Sequence, residues 1–170
     1  MFTCLVQQPS PSLQWIPSRP LQLFTTECQF ATLGHMWPFR KGKQSRLIDR
    51  DSFERNLASQ TAMAPQTVAQ LQNAGMRPKA NLRLEYFFYA ASSSNGEDLA
   101  RDLKAKGYSA ECRRSADGSS LYCITGWTVP FPIDETSTVE WTEEMCRLGY
   151  HHDCEFDGWG TNPIQPELQN

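Results

Sequence analysis

The chain has 170 residues and a formal net charge of −3, with 39% hydrophobic and 21% charged residues. This length allows one domain with a sizeable core plus an extension. No apolar run approaches the roughly 18 residues that a membrane-spanning helix needs, so we expect no membrane span. The six cysteines form no C-x-x-C pair and no secretory signal is recognisable, so we expect reduced thiols in a cytoplasmic protein.

Residues 1–35 differ in composition from the rest of the chain. They contain four prolines and only two charged side chains, Arg19 and Glu27, without helical or alternating periodicity. We expect this segment to be disordered or not translated, with Met36 as the natural start. The remaining chain is expected to divide into an N-terminal helical extension at 36–80, a domain at 81–163 and a C-terminal tail at 164–170.

Within the extension, the spacing of apolar residues predicts two helices. The first is expected at Asp49–Ser59 and the second at Pro65–Asn73, because proline favours the first turn of a helix. Gly75 follows the second helix and is a typical residue just past a helix end.

The elements after the extension follow in a β-α-β-β-α-β order. Alternation and turn residues predict four strands, at Leu82–Tyr89, Ser109–Arg114, Leu121–Val129 and Cys154–Thr161. This order predicts an α+β fold of the ferredoxin-like type, with one antiparallel sheet and two helices on one face.

Capping residues give the expected bounds of those two helices. Ser94 is predicted to cap the first helix while Glu97 reaches back to it, and Gly107 is predicted to end it. Asp134, Thr136 and Ser137 are the alternative caps of the second helix, which is expected to run to Leu148, with Gly149 ending it.

The middle two strands are predicted to form a hairpin around Asp117-Gly118, a strong signal for a two-residue turn. Such a turn places Cys112 opposite Cys123 on the same face of the sheet. A cross-strand disulfide is therefore conceivable, but a reducing compartment favours two free thiols.

The first strand has aromatic residues on both of its faces. Phe87 and Tyr89 alternate with the residues expected to pack under the helices. Apolar side chains on the other face are either shielded by the N-terminal helices or offered to a partner. The sequence leaves both possibilities open.

Residues typical of catalytic or metal sites do not occur in productive patterns. Four adjacent metal-capable residues would point alternately to opposite faces of a strand, so we expect no metal site among His151, His152, Asp153 and Cys154. No histidine accompanies a recognisable nucleophile, and no phosphate-binding glycine loop is present. We therefore predict a protein that is not an enzyme and uses no cofactor.

RNA-recognition domains share this order of elements and are the main alternative on grounds of fold. Their third strand carries a basic residue and stacking aromatics, whereas Leu121–Val129 lacks that motif. No Lys or Arg occurs between Arg114 and Arg147, although phosphate contacts supply much of nucleic-acid affinity. Direct nucleic-acid binding is therefore disfavoured.

The net charge conceals an asymmetry along the chain. Residues 36–114 contain 14 basic and 8 acidic side chains, whereas residues 115–170 contain one basic and 10 acidic side chains. An acidic half repels nucleic acid and attracts basic protein surfaces, although it can equally be a solvated face kept for solubility.

The most informative stretch is E-F-D-G-W-G-T at Glu155–Thr161. Glycines on both sides of Trp159 allow the backbone to bulge or to approach another chain closely. A strand that only fills a core would use valine or isoleucine at less cost, so this pattern indicates a binding role.

This stretch closely resembles the terminal strand of the bacterial regulators of ribonuclease E activity, type B. A more generic similarity extends over about residues 66–163, including Leu71–Gly75 and Leu99–Tyr108. The resemblance implies a cytoplasmic domain that binds ribonuclease E and restrains RNA decay. It departs from the family because only nine residues follow Thr161, with Glu167 as the one acid, where enterobacterial members have a long acidic tail.

From the pattern and the resemblance together, the candidate partner-binding residues are Asp157, Gly158, Trp159, Gly160, Glu155, Phe87 and Tyr89. Asp157 and Trp159 are the expected contacts, and the glycines shape the strand. Trp159 has an alternative role as a structural anchor. The alternative function is a ferredoxin-like domain that binds a small ligand or another protein, as an immunity or antitoxin-like module.

Overall fold

The computed structural model describes residues 46–116 and 119–163. In chain order the elements are α1 (Arg50–Asn73), β1 (Asn81–Leu82), β2 (Glu85–Ala90), α2 (Ser93–Ala105), β3 (Ser109–Arg114), β4 (Tyr122–Trp127), β5 (Phe131–Pro132), α3 (Glu135–His151) and β6 (Cys154–Gly160). The predictions for 1–35, for 164–170 and for the Asp117-Gly118 turn lie outside the described residues.

The prediction of two N-terminal helices was wrong, because α1 is continuous and contains Pro65. A proline inside a helix removes one hydrogen bond and usually kinks or ends the helix. Here Gln60, Ala64 and Val68 are buried at intervals of four residues, and α1 packs along α3. This packing stripe passes straight through the proline, so tertiary contacts outweigh the local preference.

The strands form two antiparallel sheets rather than the single predicted sheet. The main sheet has the order β3-β4-β2-β6, and β1 pairs separately with β5. The predicted strand Leu82–Tyr89 is divided, because Leu82 pairs with Phe131 while the main sheet begins at Glu85. Two-residue strands are too short to show alternation, so the sequence contained no signal for the small sheet.

The core lies between the main sheet and the helices α2 and α3. Tyr86, Phe88 and Ala90 of β2 are fully buried on one face, together with Ile124 and Phe156 of the neighbouring strands. The helices contribute the apolar residues Leu99, Leu103, Trp141 and Met145. The α+β class is thereby confirmed.

Helix α2 begins two residues earlier than predicted. Its cap is Ser92, whose hydroxyl accepts the backbone N–H of Asn95 at 3.2 Å, so the predicted capping box at Ser94 was wrong. Its end was predicted correctly, because Gly107 has φ +85° and the N–H of Tyr108 bonds Leu103 at 3.1 Å.

The cap of helix α3 is Asp134, one of the three predicted alternatives, but the end of the helix differs from the prediction. The carboxylate of Asp134 accepts the N–H of Ser137 at 2.9 Å. The prediction that Gly149 ends the helix was wrong, because the helix continues to His151. Gly149 instead permits close packing, since a Cβ atom there would lie 2.5 Å from the carbonyl oxygen of Cys154.

The register of the hairpin differs from the predicted one by a residue. Cys112 lies opposite Ile124, and Cys123 lies opposite Arg113. Ser115 pairs with Leu121, so five residues separate the paired ends instead of the two of a tight turn. This shift places the two thiols on opposite faces of the sheet, where no disulfide can join them, and both are free.

Candidate partner-binding site on the terminal strand

The terminal strand β6 contains a β-bulge in the middle of the E-F-D-G-W-G-T stretch. Phe88 of β2 lies opposite Phe156, but the preceding Phe87 lies opposite Gly158, which leaves Asp157 as the extra residue. Gly158 has φ +137°, a conformation that side chains with a Cβ atom rarely adopt. The two glycines of the stretch therefore serve different purposes, because Gly160 follows the bulge as a buried residue opposite Glu85.

The bulge changes which face of the sheet each residue of β6 occupies. Before the bulge, Glu155 lies opposite Tyr89 on the helix-free face. After it, Trp159 lies opposite the buried Tyr86 and therefore faces the helices. A regular strand would have placed Glu155 and Trp159 on the same face, since residues at even spacing share a face.

Trp159 packs against the core side of the molecule. Its ring meets Trp141 of α3 edge-on, with centroids 6.2 Å apart and planes at 86°. It is partly buried and touches the core cluster. Next to it, the hydroxyl of Thr161 donates to the carbonyl of Arg83 at 2.7 Å, which fixes the end of β6 to the start of β2.

Five of the seven candidate residues lie on the helix-free face, which we call the open face, because Gly160 also lies there, opposite Glu85. Gly158 and Glu155 of β6 lie opposite Phe87 and Tyr89 of β2 there, one pair beside the other. Both aromatic side chains are partly exposed and belong neither to the buried core nor to the apolar residues packed against it. Among the described residues, the helices α2 and α3 pack on the opposite face, and the main contact of α1 with the sheet lies at β6.

The sheet register adds residues to the open face that sequence reasoning missed. Trp127 of β4 lies opposite Glu85 of β2, and Thr125 lies opposite Phe87. Burial raises the pKa of the Glu85 carboxyl above its usual value. These residues could have been predicted from strand pairing, but only with the correct register. The face thus combines an aromatic band with carboxylates, of which that of Glu85 is partly desolvated.

Helix α1 holds the bulge through two side-chain amides that the sequence analysis did not single out. Asn56 donates to the carbonyl of Phe156 at 2.8 Å, and Gln60 donates to the carbonyl of Asp157 at 3.1 Å. The two amides are four residues apart and so lie on one side of the helix. The sequence signal for this contact was that Asn56 and Gln60 are polar residues at helical spacing on a buried side of α1.

The polar stretch before β6 joins elements of the fold. The carboxylate of Asp153 accepts the N–H groups of Leu47 and Ile48 at 3.0 and 3.1 Å. His152 Nε2 lies 2.8 Å from Asp102 Oδ2, and the two imidazoles of His151 and His152 meet edge-on. Within the described residues, no group of three or more His, Cys, Asp or Glu side chains could hold a metal ion.

The buried cysteines have low reactivity. Burial raises the pKa of Cys146 and of Cys154 to about 12. Both thiols therefore remain protonated at neutral pH, and a protonated thiol is a poor nucleophile.

Ion pairs in the folded protein partly neutralise the acidic residues of the second half of the chain. Glu144 pairs with Lys106, which directly follows α2, at 2.5 Å, and Asp153 pairs with Arg46 at 3.6 Å. Both bases come from the basic half of the chain. The asymmetry in sequence is therefore partly cancelled by ion pairs between the two halves.

Together, the fold and the candidate site define a small α+β domain whose most distinctive feature is a bulged terminal strand beside an aromatic sheet face. The helices in the described part of the chain are too short or too polar to cross a membrane. The family model described as "Regulator of ribonuclease activity B" matches residues 62–161, so the chain belongs to this family of ribonuclease regulators. This confirms the resemblance found in the sequence. A search of curated proteins gives no match.

Proposed function

We propose that the chain is a non-enzymatic, cytoplasmic regulator that binds a ribonuclease E-type endoribonuclease and restrains RNA decay. The observation that carries the proposal is the family match, which spans most of the described structure from α1 to the end of β6. A regulator of a nuclease requires a surface for a protein partner, and the open face supplies a candidate.

The composition of the open face supports a protein partner. Aromatic residues are enriched at protein interfaces because they offer large contact area at little conformational cost. Here Phe87, Tyr89 and Trp127 lie on neighbouring strands with two carboxylates, Glu85 and Glu155, beside them. A basic protein segment is the partner that such a face fits best, since its cations would meet the carboxylates and its stems the rings.

The charges of the same face argue against direct RNA binding. Its acidic residues include Glu111 on β3, and the neighbouring Arg113 is held in an ion pair with Glu111 at 2.6 Å. Sheet faces that stack bases also need unpaired cations for the phosphates. RNA would therefore be repelled where a basic protein surface would be attracted.

The remaining candidate residues support this face. Asp157 is the partly exposed bulged residue of β6, and we propose that its side chain contacts the partner beside the open face. Gly158 and Gly160 permit the bulge and the close strand pairing. For Trp159, which packs on Trp141, we propose the anchoring role that holds β6 against α3.

The arrangement of the main sheet supports a ferredoxin-like domain. Its four strands, taken in chain order as first to fourth, lie side by side in the order second, third, first, fourth, all antiparallel. The helices α2 and α3 follow the first and third of these strands, as in the split βαβ arrangement. The small β1-β5 sheet and α1 are additions to it.

The proposal is tested by measuring cleavage of an RNA substrate by purified ribonuclease E in the presence of the full chain. We expect the wild-type chain to bind the nuclease and slow cleavage, and Tyr89→Ala and Glu155→Lys to lose most of this effect. The control is Glu54→Lys, the same charge change at an exposed position of α1. Binding should weaken as salt rises, because the opposing charges are screened.

The outcomes separate the function from the site. If the wild-type chain neither binds ribonuclease E nor slows cleavage, the proposed function is wrong. If it slows cleavage but Tyr89→Ala and Glu155→Lys act like the wild type, the function stands and the open face is not the binding site.

A further inference from the structure

The strand β3 forms one edge of the main sheet and pairs with β4 alone. The N–H of Ser115 bonds the carbonyl of Leu121, which fixes the alternation of hydrogen-bonded pairs along the two strands. Glu111 and Arg113 therefore use their backbone groups toward β4. The backbone groups that point away from the sheet are those of the alternating residues Ala110, Cys112 and Arg114.

The two edge strands of the main sheet differ in whether another element covers them. At β6, the side chains of Asn56 and Gln60 bond the carbonyls of Phe156 and Asp157, so α1 covers that edge. At β3, no described element pairs with the outer side of the strand, and four of its six residues are exposed. An uncovered edge strand is a template for pairing with another chain.

The charges on β3 are self-complementary when the strand pairs antiparallel with a copy of itself. If Cys112 lies opposite Cys112 of the partner subunit, Glu111 lies opposite Arg113 of the partner subunit, and Arg113 opposite Glu111 of the partner subunit. Both side chains are on the open face, with side-chain exposures of 61% and 76%. Opposite charges placed directly across two strands stabilise the pairing.

The same arrangement also allows backbone hydrogen bonds between the two copies. Cys112 would form a hydrogen-bonded pair across the twofold axis, and Ala110 would pair with Arg114 of the partner subunit on each side of it. Because the backbone groups of these residues already point outward, the pairing requires no change in the backbone conformation of β3. A two-fold axis between the two β3 strands gives a closed dimer, in which both copies use the same surface.

Charge also selects this register over its neighbours. A shift by one residue would place residues whose backbone groups point outward opposite residues whose backbone groups already bond β4. A shift by two residues would place Arg113 opposite Arg113 of the partner subunit, or Glu111 opposite Glu111 of the partner subunit, and like charges in that position repel.

From these observations we propose that β3 is a self-association surface, through which two copies of the chain join their main sheets into one continuous antiparallel sheet. A single strand pair buries much less area than a standard stable interface, so the dimer is weak and depends on concentration. The proposal does not rest on the function proposed above, since it concerns the outer edge of β3 and a second copy of the chain as its occupant.

The test is sedimentation equilibrium of the full chain up to millimolar concentration. The single variants Glu111→Arg and Arg113→Glu each replace two attractive pairs with two repulsive ones, and we expect each to raise the dissociation constant of the dimer about tenfold or more. An equimolar mixture of the two variants should form a heterodimer. The double variant should dimerise like the wild type, because its charges are again complementary.

A second pair of variants tests the backbone. Arg114→Pro removes an N–H that points outward and is not used inside the molecule, so we expect a folded monomer with an unchanged melting temperature. Arg114→Ala keeps the N–H and should dimerise. A wild type that stays monomeric throughout the concentration range, or single variants that dimerise like the wild type, would overturn the proposal.

Discussion

Gln60 of α1 donates a hydrogen bond from its side-chain amide to the backbone carbonyl of Asp157, at 3.1 Å. Gln60 is only 3% exposed, and Asp157 is the extra residue of the bulge in β6. A buried amide of this kind stabilises the fold only while both of its ends are paired. The contact therefore links the N-terminal helix to the strand that defines the candidate site.

Replacing Gln60 by leucine should destabilise the protein, because the Asp157 carbonyl loses its donor inside a partly buried contact. We expect a loss of about 1–3 kcal/mol in the free energy of unfolding, measured by urea denaturation. The control is Gln66→Leu, at an exposed position of the same helix. Equal stability of the two variants would mean that the bond to the bulge contributes nothing.

Two tryptophans on opposite faces of the sheet allow stability and binding to be separated. Trp159 packs on Trp141, so Trp159→Ala should lower the free energy of unfolding by about 2–4 kcal/mol, less than for a fully buried tryptophan. Trp127 lies on the open face. Compared with Trp159→Ala, Trp127→Ala should therefore lower the free energy of unfolding less and weaken binding to ribonuclease E more. Denaturation and nuclease binding, measured on both variants, test this assignment. A stable Trp159→Ala variant that no longer binds would place Trp159 at the interface instead.

At Gly149, helix propensity and packing predict opposite effects of an alanine substitution on the stability of the protein. Alanine in the middle of a helix is usually more stable than glycine by roughly 1 kcal/mol. At this position, however, a Cβ atom would lie 2.5 Å from the carbonyl of Cys154 and 2.9 Å from the ring of Phe88. We expect Gly149→Ala to destabilise the protein by about 1–3 kcal/mol in thermal and urea unfolding. A stabilised variant would show that β6 moves away from α3 easily.

The sequence predicted those elements whose signals are local. β3 has its predicted bounds and β6 begins at the predicted Cys154, because turn residues and alternation lie within the strands themselves. The continuity of α1 through Pro65 was not predictable, since it depends on packing against α3. The helix bounds at Ser92 and His151 likewise depend on which of several capping residues the tertiary structure uses.

The candidate site was predictable in composition but not in arrangement. The glycines of the terminal stretch indicated a bulge, yet the sequence did not show that the bulge moves Trp159 to the opposite face from Glu155. The open face also includes Trp127, whose position follows from strand register. Register is set by long-range pairing and hairpin length, and the observed register of β3 and β4 differs from the predicted one by a residue.

The carboxyl of Glu85 makes stability and binding respond to pH in opposite ways. Burial raises its pKa in the folded protein, so the folded state holds the carboxylate at a cost once the pH exceeds the ordinary value for glutamate. Below that ordinary value the group is protonated in both states and the cost disappears. Glu85→Gln should therefore be more stable than the wild type at neutral pH, and the difference should vanish as the pH falls below about 4.

The same substitution removes a negative charge from the open face, so it should also weaken binding to ribonuclease E at neutral pH. Urea denaturation between acidic and neutral pH, combined with nuclease binding at neutral pH, measures both effects on one variant. Glu54→Gln, on α1, is the matched control, and its stability difference from the wild type should not follow the Glu85 profile. A Glu85→Gln variant whose extra stability persists at acidic pH would show that the gain arises from packing and not from the desolvated charge.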